Sequence, residues 1–406
     1  MTALSGSSAH HRSGWSDGWR LLICAGSVLV WAVASHQTAL AEDLLYPFDL
    51  STSLSLRGGY EMKDGVGQSY LEAVPQISAT RVDEDWVLSG SASATLDQYQ
   101  KEGGGVRTLN LDAAVSYQLS RRTSVDAGID YGLNLPRLNS DDLPDTVSEA
   151  PLNQTFGANA SLAHQFNKTA LDGRLGLRRT QTGPTRLDDD SLQDNSDQNA
   201  WAWSVGGRVS RELTPIVNVF YDTNVTRTIY DAASATLSAK RDGWTFDNRL
   251  GVAVNFKDRV TGEVSVGQLR RAYDAPGLNT VLTTSYGAAI TYQLGNSAVL
   301  TVSADTSLSP ATESGEADKI TDGLSLGFSQ QVNDRWGYEL STDFGREHYQ
   351  GSDRHAGQFA LGLEAIYIIN SYASAYAGYR YELSEDSVEG GSRTNAIEAG
   401  LRFTRP

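Results

Sequence analysis

The chain has 406 residues, with 33 basic and 49 acidic side chains, a net charge of −16 and a single cysteine. A balance that acidic is unsuited to phosphate backbones and excludes nucleic acid as a partner. Cys24 lies in the N-terminal apolar run, so beyond that run disulfides, thiolate metal sites and cysteine catalysis are excluded.

Arg12 and Arg20 precede the apolar stretch from Leu21 to Ala34, and Ala39-Leu40-Ala41 supplies a small-x-small cleavage pattern. This is the layout of a secretory signal, residues 1–41, cleaved after Ala41. The run is shorter than the roughly 20 apolar residues of a membrane-spanning helix. Arg12, Arg20 and Asp17 leave with it, which makes the mature chain one unit more negative, and so do His10, His11 and His36. Residues 42–49 are then a short periplasmic segment, and 50–406 a single domain.

From Leu50 to Phe403 the sequence alternates. In 109–135, Leu109, Leu111, Ala113, Val115, Tyr117 and Leu119 share one phase, with Asn110, Asp112, Ser116 and Gln118 on the other. After Ser120-Arg121-Arg122 the pattern restarts with Val125, Ala127, Ile129, Tyr131 and Leu133 against Ser124, Asp126 and Asp130. Period-two alternation about a tight turn is a β-hairpin. Eighteen such segments follow one another: Leu50–Lys63, Ser69–Val82, Trp86–Tyr99, Arg107–Leu119, Thr123–Leu135, Thr155–Phe166, Thr169–Gln181, Asn199–Leu213, Ile216–Tyr230, Gly243–Phe256, Val260–Tyr273, Val281–Leu294, Ala298–Ser309, Ile320–Val332, Trp336–Tyr349, Phe359–Ile369, Tyr372–Leu383 and Thr394–Phe403. Sixteen is the other count the pattern allows.

Short connections such as Asp83-Glu84-Asp85, Asn167-Lys168, Thr214-Pro215 and Asn370-Ser371 alternate with longer polar links such as Pro136–Gln154, Thr182–Gln198, Asp231–Arg241, Pro310–Lys319 and Ser384–Arg393. An up-and-down barrel puts the short turns at one rim and the long loops at the other, as transmembrane barrels do. The segments reach or exceed the 9–11 residues that span a bilayer as a tilted strand. Aromatics on the apolar phase gather at strand ends. Trp86, Tyr117, Phe166, Phe256, Tyr292, Trp336 and Tyr338 lie beside short turns, and Tyr131, Trp201, Trp203, Trp244 and Phe359 beside long loops. Two such belts mark two water interfaces. The fold class is therefore all-β, an antiparallel up-and-down transmembrane β-barrel of about eighteen strands, with short periplasmic turns and longer extracellular loops.

With lipid against the apolar phase, the other phase lines the lumen, where charge is tolerated beside water. The pore-lining acids are Glu72, Asp112, Asp126, Asp130, Asp172, Asp222, Glu263, Asp305, Glu339, Asp343, Glu364 and Glu398, and the bases Arg174, Arg178, Arg208, Arg249 and Arg380. Asp97, Asp247, Glu382, Arg57, Arg271 and Arg402 share their phase, and Tyr70, Tyr372 and Tyr376 are the luminal aromatics. A barrel this wide leaves an aqueous channel unless loops fill it. The excess of carboxylates disfavours anions, although facing acids and arginines also pair across the wall. The links Pro136–Gln154 and Thr182–Gln198 either fold inward as a constriction or cap the outside.

The acidic loop from Leu187 to Asp197 lacks the central glycine and terminal glutamate of a calcium loop, and is read as a solvated loop. His164 falls on the apolar phase; His348 and His355 flank a loop with no serine motif nearby. No catalytic residue, metal or cofactor is expected.

The stretches "LSLRGGYEMKDGVGQSYLEAVPQISA", "GEVSVGQLRRAYDAPGLNTVLTTSYGAAITYQL", "REHYQGSDRHAGQFALGLEAIYIINSYASAYAGYRYELSED" and "NAIEAGLRF" resemble the outer-membrane β-barrel (porin-like) proteins of Gram-negative bacteria. The resemblance covers essentially the whole mature chain. It implies a barrel in the cell outer membrane, contacting outer-membrane lipid and lipopolysaccharide, often encoded beside exopolysaccharide genes, and it carries over no catalytic residue. Such barrels commonly end in an aromatic residue, whereas here Phe403 is followed by Thr404-Arg405-Pro406. The expected function is an outer-membrane channel, a conduit for exopolysaccharide export working with periplasmic partners. The alternatives are a general porin for small polar solutes with a mild preference for cations, and a plugged structural or adhesive barrel. Oligomeric state stays open.

Overall fold

A strand that alternates has two unlike faces, and a sheet of such strands loses its edges only when the first meets the last. The computed structural model, which describes residues 48–405 apart from 139–142, 144–145, 258, 312–315 and 389, takes that form. Its strands are β1 (Asp49–Lys63), β2 (Val66–Val82), β3 (Trp86–Tyr99), β4 (Gly103–Ser120), β5 (Thr123–Asn134), β6 (Val147–Glu149), β7 (Asn153–Phe166), β8 (Thr169–Thr182), β9 (Thr185–Leu187), β10 (Leu192–Gln193), β11 (Ala200–Thr214), β12 (Val217–Tyr230), β13 (Gly243–Phe256), β14 (Val260–Tyr273), β15 (Val281–Leu294), β16 (Ala298–Pro310), β17 (Asp318–Gln331), β18 (Trp336–Tyr349), β19 (His355–Asn370), β20 (Ala373–Asp386) and β21 (Gly390–Arg405). Eighteen of them form one antiparallel sheet, and β6, β9 and β10 a separate three-stranded one. The sheet closes where Thr52–Lys63 of β1 pairs with Thr394–Arg405 of β21. The expected signal segment lies outside the described residues.

The wall strands run from 12 residues in β5 to 18 in β4, enough to cross hydrocarbon at a tilt. Their apolar side chains point away from the barrel: Leu175, Leu250 and Ile397 are 59%, 64% and 68% exposed. A water-soluble sheet would bury such a face, so lipid is its solvent. Both aromatic rows stand on it, with Tyr117, Phe166, Phe256 and Trp336 at the short-turn rim and Trp201, Trp203 and Trp244 at the other, all exposed.

The long links gather at the outer rim, but three connections there are short: β20 runs to Asp386 and β21 starts at Gly390, so the expected long link Ser384–Arg393 is mostly paired strand, and two others are equally brief. Asp64-Gly65 joins β1 to β2 with φ of 49° and 83°, a tight turn whose second position suits glycine, and only Gln100–Glu102 joins β3 to β4. The 136–154 and 182–198 links meet in the small sheet, where Thr185–Arg186 pairs with Leu192–Gln193, and Arg186–Leu187 with Val147–Glu149.

One seam of the wall is incomplete. Strands β15 and β16 pair only from Gly287↔Asp305 to Leu294↔Ala298, eight positions, whereas the neighbouring seams β14–β15 and β16–β17 pair over twelve and thirteen. Beyond Asp305 the β16–β17 hairpin leaves the wall and turns into the barrel. Its Asp318 pairs with Arg271 on the luminal face of β14, Nε to Oδ2 3.1 Å, and accepts a hydrogen bond from the Tyr273 hydroxyl. Asp318 is fully buried and Arg271 5% exposed. The hairpin's tip region packs on β18 and β19 through the buried cluster Ala311, Tyr349 and Ala356.

Candidate functional site: the lumen and its outer constriction

Register places every sequence-selected charged residue on the face opposite the exposed leucines and valines. Asp112↔Asp130, Arg208↔Asp172, Arg208↔Asp222, Asp222↔Arg249, Glu339↔Glu364 and Asp305↔Gly323 are direct cross-strand neighbours there. Tyr70 and Tyr376 share that face, opposite Gly59 and Gly400. Tyr372 does not: it stands in the turn before β20 and is 61% exposed.

The charges fall into compensated and uncompensated arcs. On β1, β2, β20 and β21, Arg57 pairs with Glu72 and, at 3.0 Å, with Glu398, whose other oxygen accepts the Tyr70 hydroxyl at 2.7 Å. Glu61, 1% exposed, is held by Arg137 at 3.2 Å and Arg380 at 3.4 Å. Arg137 comes from the link after β5 and lies 4.7 Å from the centre of the Tyr99 ring, which stacks on Tyr70 at 5.1 Å. That link therefore dips inside at Arg137, while its later part joins the small sheet above. A polar cavity of about 280 Å³ remains among Arg57, Glu72, Asp97, Arg107 and Arg137.

A second compensated arc runs from β8 to β14. Arg174 pairs with Asp172 at 3.1 Å and Asp222 at 2.7 Å, Arg208 with Glu263 at 2.6 Å, and Arg249 with Asp247 at 2.8 Å. Between these arcs the acids stand without cations. Among the described residues no ion pair reaches Asp112, Asp126, Asp130, Asp305, Glu339 or Asp343, and Arg178 is the one sequence-selected base without one. Asp112 and Asp126 accept only serine hydroxyls, from Ser91 at 3.1 Å and Ser161 at 3.3 Å. Glu364 has Arg402 at 3.9 Å.

The outer end is narrowed by what the sequence pattern did not mark. Arg241, 3% exposed, donates to the carbonyls of Ala311 at 3.0 Å and Asp197 at 2.8 Å, and so ties two long links to its own. Its carbonyl accepts from Arg271 at 3.2 Å, and its guanidinium lies over the Tyr230 ring. With Asp318 on Arg271, this buried cluster pins the inward hairpin across part of the lumen.

The loop considered for calcium uses its acids locally. Asp189 accepts from the backbone and hydroxyl of Ser191, and Asp194 from those of Ser196. His164 is tied to the Thr123 hydroxyl at 2.9 Å and edges onto Phe166.

No curated protein sequence matches the chain. Among solved structures it is similar to the copper transporter OprC (TM-score 0.47, 11% identity, 88% of this chain and 81% of that one). It is likewise similar to a mutant of the ferric enterobactin receptor PfeA from Pseudomonas aeruginosa (0.46, 7%, 88% and 80%) and to OccK5 (OpdH) of the same organism (0.44, 11%, 88% and 99%). The family model described as "Putative beta-barrel porin 2" matches residues 137–405, most of the wall and both long links. With a closed eighteen-stranded barrel, a lipid-facing apolar surface and a charged lumen, the chain belongs to this β-barrel porin family of the outer membrane.

Proposed function

We propose that the protein is a passive outer-membrane channel for small polar solutes, with a preference for cations. The observation that carries this is the set of six luminal carboxylates without ion pairs, facing arcs whose arginines, Arg178 apart, are already paired with acids. Unpaired acids on a low-dielectric wall focus a negative potential, raise the local concentration of cations and repel anions. The inward hairpin and Arg137 narrow the outer end, which favours small solutes over polymers. In this reading no residue is catalytic, and the partners are outer-membrane lipid and lipopolysaccharide.

The decisive experiment is planar-bilayer recording of the refolded protein under a potassium chloride gradient. The expected result is steady conductance with a reversal potential of the sign for cation selectivity. Absence of conductance would instead favour a plugged structural or adhesive barrel. Export of an exopolysaccharide with periplasmic partners rests on the family resemblance and a wide polar lumen, and the narrowed outer end weighs against it. A deletion strain with a lasting defect in polysaccharide secretion would reverse that ranking.

A further inference from the structure

Where the β16–β17 hairpin turns inward, the outside of the wall becomes concave. The hollow, about 550 Å³, lies in the outer half of the lipid-facing surface and is floored by Tyr286, Leu324, Phe344, Phe359 and Leu383. Its volume is that of a small-molecule pocket, commonly about 300–1,000 Å³. The rings of Phe344 and Phe359 lie 5.0 Å apart across β18 and β19.

Three charged residues stand at its upper edge on what is otherwise the apolar phase: Asp322, Arg346 and Glu385. Asp322 and Arg346 are direct cross-strand neighbours, and Gly357 lies opposite both Arg346 and Glu385. These charges stand one step outward of Phe344 and Phe359, at the level of the outer aromatic row, where lipid head groups meet the wall. One cation beside two carboxylates, next to an apolar trough, matches an amphiphile whose head carries both signs.

The edge of the hollow is the incomplete seam, which side chains close instead of a ladder. The Tyr286 amide donates to the Thr306 hydroxyl at 3.4 Å, and that hydroxyl donates to Asp322 at 2.9 Å. From the luminal side Arg249 donates to the carbonyls of Tyr286 at 3.3 Å and Thr306 at 3.2 Å. Ser285 and Thr306, at 0% and 3% exposure, fill the gap.

We infer that this hollow is a binding site for one acyl chain of a zwitterionic membrane amphiphile. The chain lies along Leu324, Phe344 and Leu383, with the head among Asp322, Arg346 and Glu385. The site would hold that chain against the outer end of the β15–β16 seam, which side chains close, a property distinct from conductance through the lumen.

The test uses the full-length protein refolded in phosphatidylcholine vesicles containing a trace of lysophosphatidylcholine with a diazirine on its acyl chain. After irradiation, adducts are mapped by mass spectrometry. Labelling of Leu324, Phe344 and Leu383 is expected at least about fivefold above that of Leu175 and Leu250, a preference of roughly 1 kcal/mol. The Leu324→Asn/Leu383→Asn variant, verified as folded by heat-modifiable migration, should lose the excess. Even labelling around the wild-type wall would overturn the site whatever the variant does. A diazirine fatty acid, anionic only, should label the hollow more weakly; equal labelling would overturn the assignment of a zwitterionic head.

Discussion

Asp112 and Asp130 face each other across the β4–β5 ladder on the luminal side, and no lysine or arginine among the described residues forms an ion pair with either. Asp130 lies over Gly157 of β7, where any side chain would collide with its carboxylate. Two acids at one level of the wall with no cation paired to either make this stretch a source of negative potential in the lumen.

Replacing that pair should therefore change selectivity before anything else. For Asp112→Asn/Asp130→Asn, the ratio of potassium to chloride permeability should fall by about two- to threefold, with little change in unfolding midpoint. The difference should shrink from 0.1 M to 1 M salt, as the screening length drops from about 10 Å to about 3 Å. An unchanged reversal potential at low salt would contradict the assignment.

Asp318 should govern how far the outer end opens. Removing one partner of a buried pair costs about 3–5 kcal/mol because the other charge is left stranded. In Asp318→Asn that cost falls on the contact between hairpin and wall, since the flanking ladders of β14 with β15 and of β16 with β17 persist. The expected outcome is a larger single-channel conductance in a protein that still migrates as a folded barrel. Conductance equal to wild type would mean that the hairpin does not constrict the path.

The lipid face can be tested by a matched pair on one strand. Leu250, on the outward side of β13, should tolerate arginine badly, at about 2–4 kcal/mol near the bilayer midplane. Ala253, on the inward side opposite Glu263, should accept arginine with a change below about 1 kcal/mol. Urea unfolding from vesicles measures both, and equal costs would refute the assignment of faces.

At the outer rim, Arg179 and Arg227 pair with the loop acids Asp231 and Asp274, at 2.8 and 2.9 Å. Hydrogen bonding to these guanidiniums holds both carboxyls below their ordinary range. Folded-state values lower than unfolded ones mean stability that is present above about pH 4, the ordinary aspartate value, and lost as pH falls through the folded values. Asp231→Asn/Asp274→Asn should flatten the fall in unfolding midpoint between about pH 4 and pH 2. The effect should be small, because both acids are largely exposed. A variant with an unaltered pH profile would show that the rim pairs are neutral to stability.

The wall was legible in the sequence because alternation, strand length and turn chemistry all report one geometry. The hairpin around Ser120-Arg121-Arg122 and the count of eighteen follow directly from period-two patterning. The inward turn of β16 and β17 left the pattern intact. Leu308 and Ile320 keep the apolar phase whether the hairpin stands in the wall or folds beneath it. The available signal was a pair of opposite charges side by side on that phase, Asp322 beside Arg346. Arg137 and Arg241 lie in links without periodicity, so nothing local announced that their guanidiniums reach distant partners, Arg137 half-buried and Arg241 buried.

Nearly every seam of this barrel joins strands that neighbour one another along the chain, and the last joins Thr52 to Arg405. Hairpins can therefore zip one after another through short loops, which makes most of the assembly kinetically local. Closure must wait for the two ends of the sheet to meet. The entropy of that long loop is modest, since each doubling of length adds only about 0.6 kcal/mol. The hazard is time: until β21 reaches β1, both carry bare amide edges able to capture the matching edge of another molecule. The chain is thus open to edge-to-edge aggregation until its last seam, between β1 and β21, has closed.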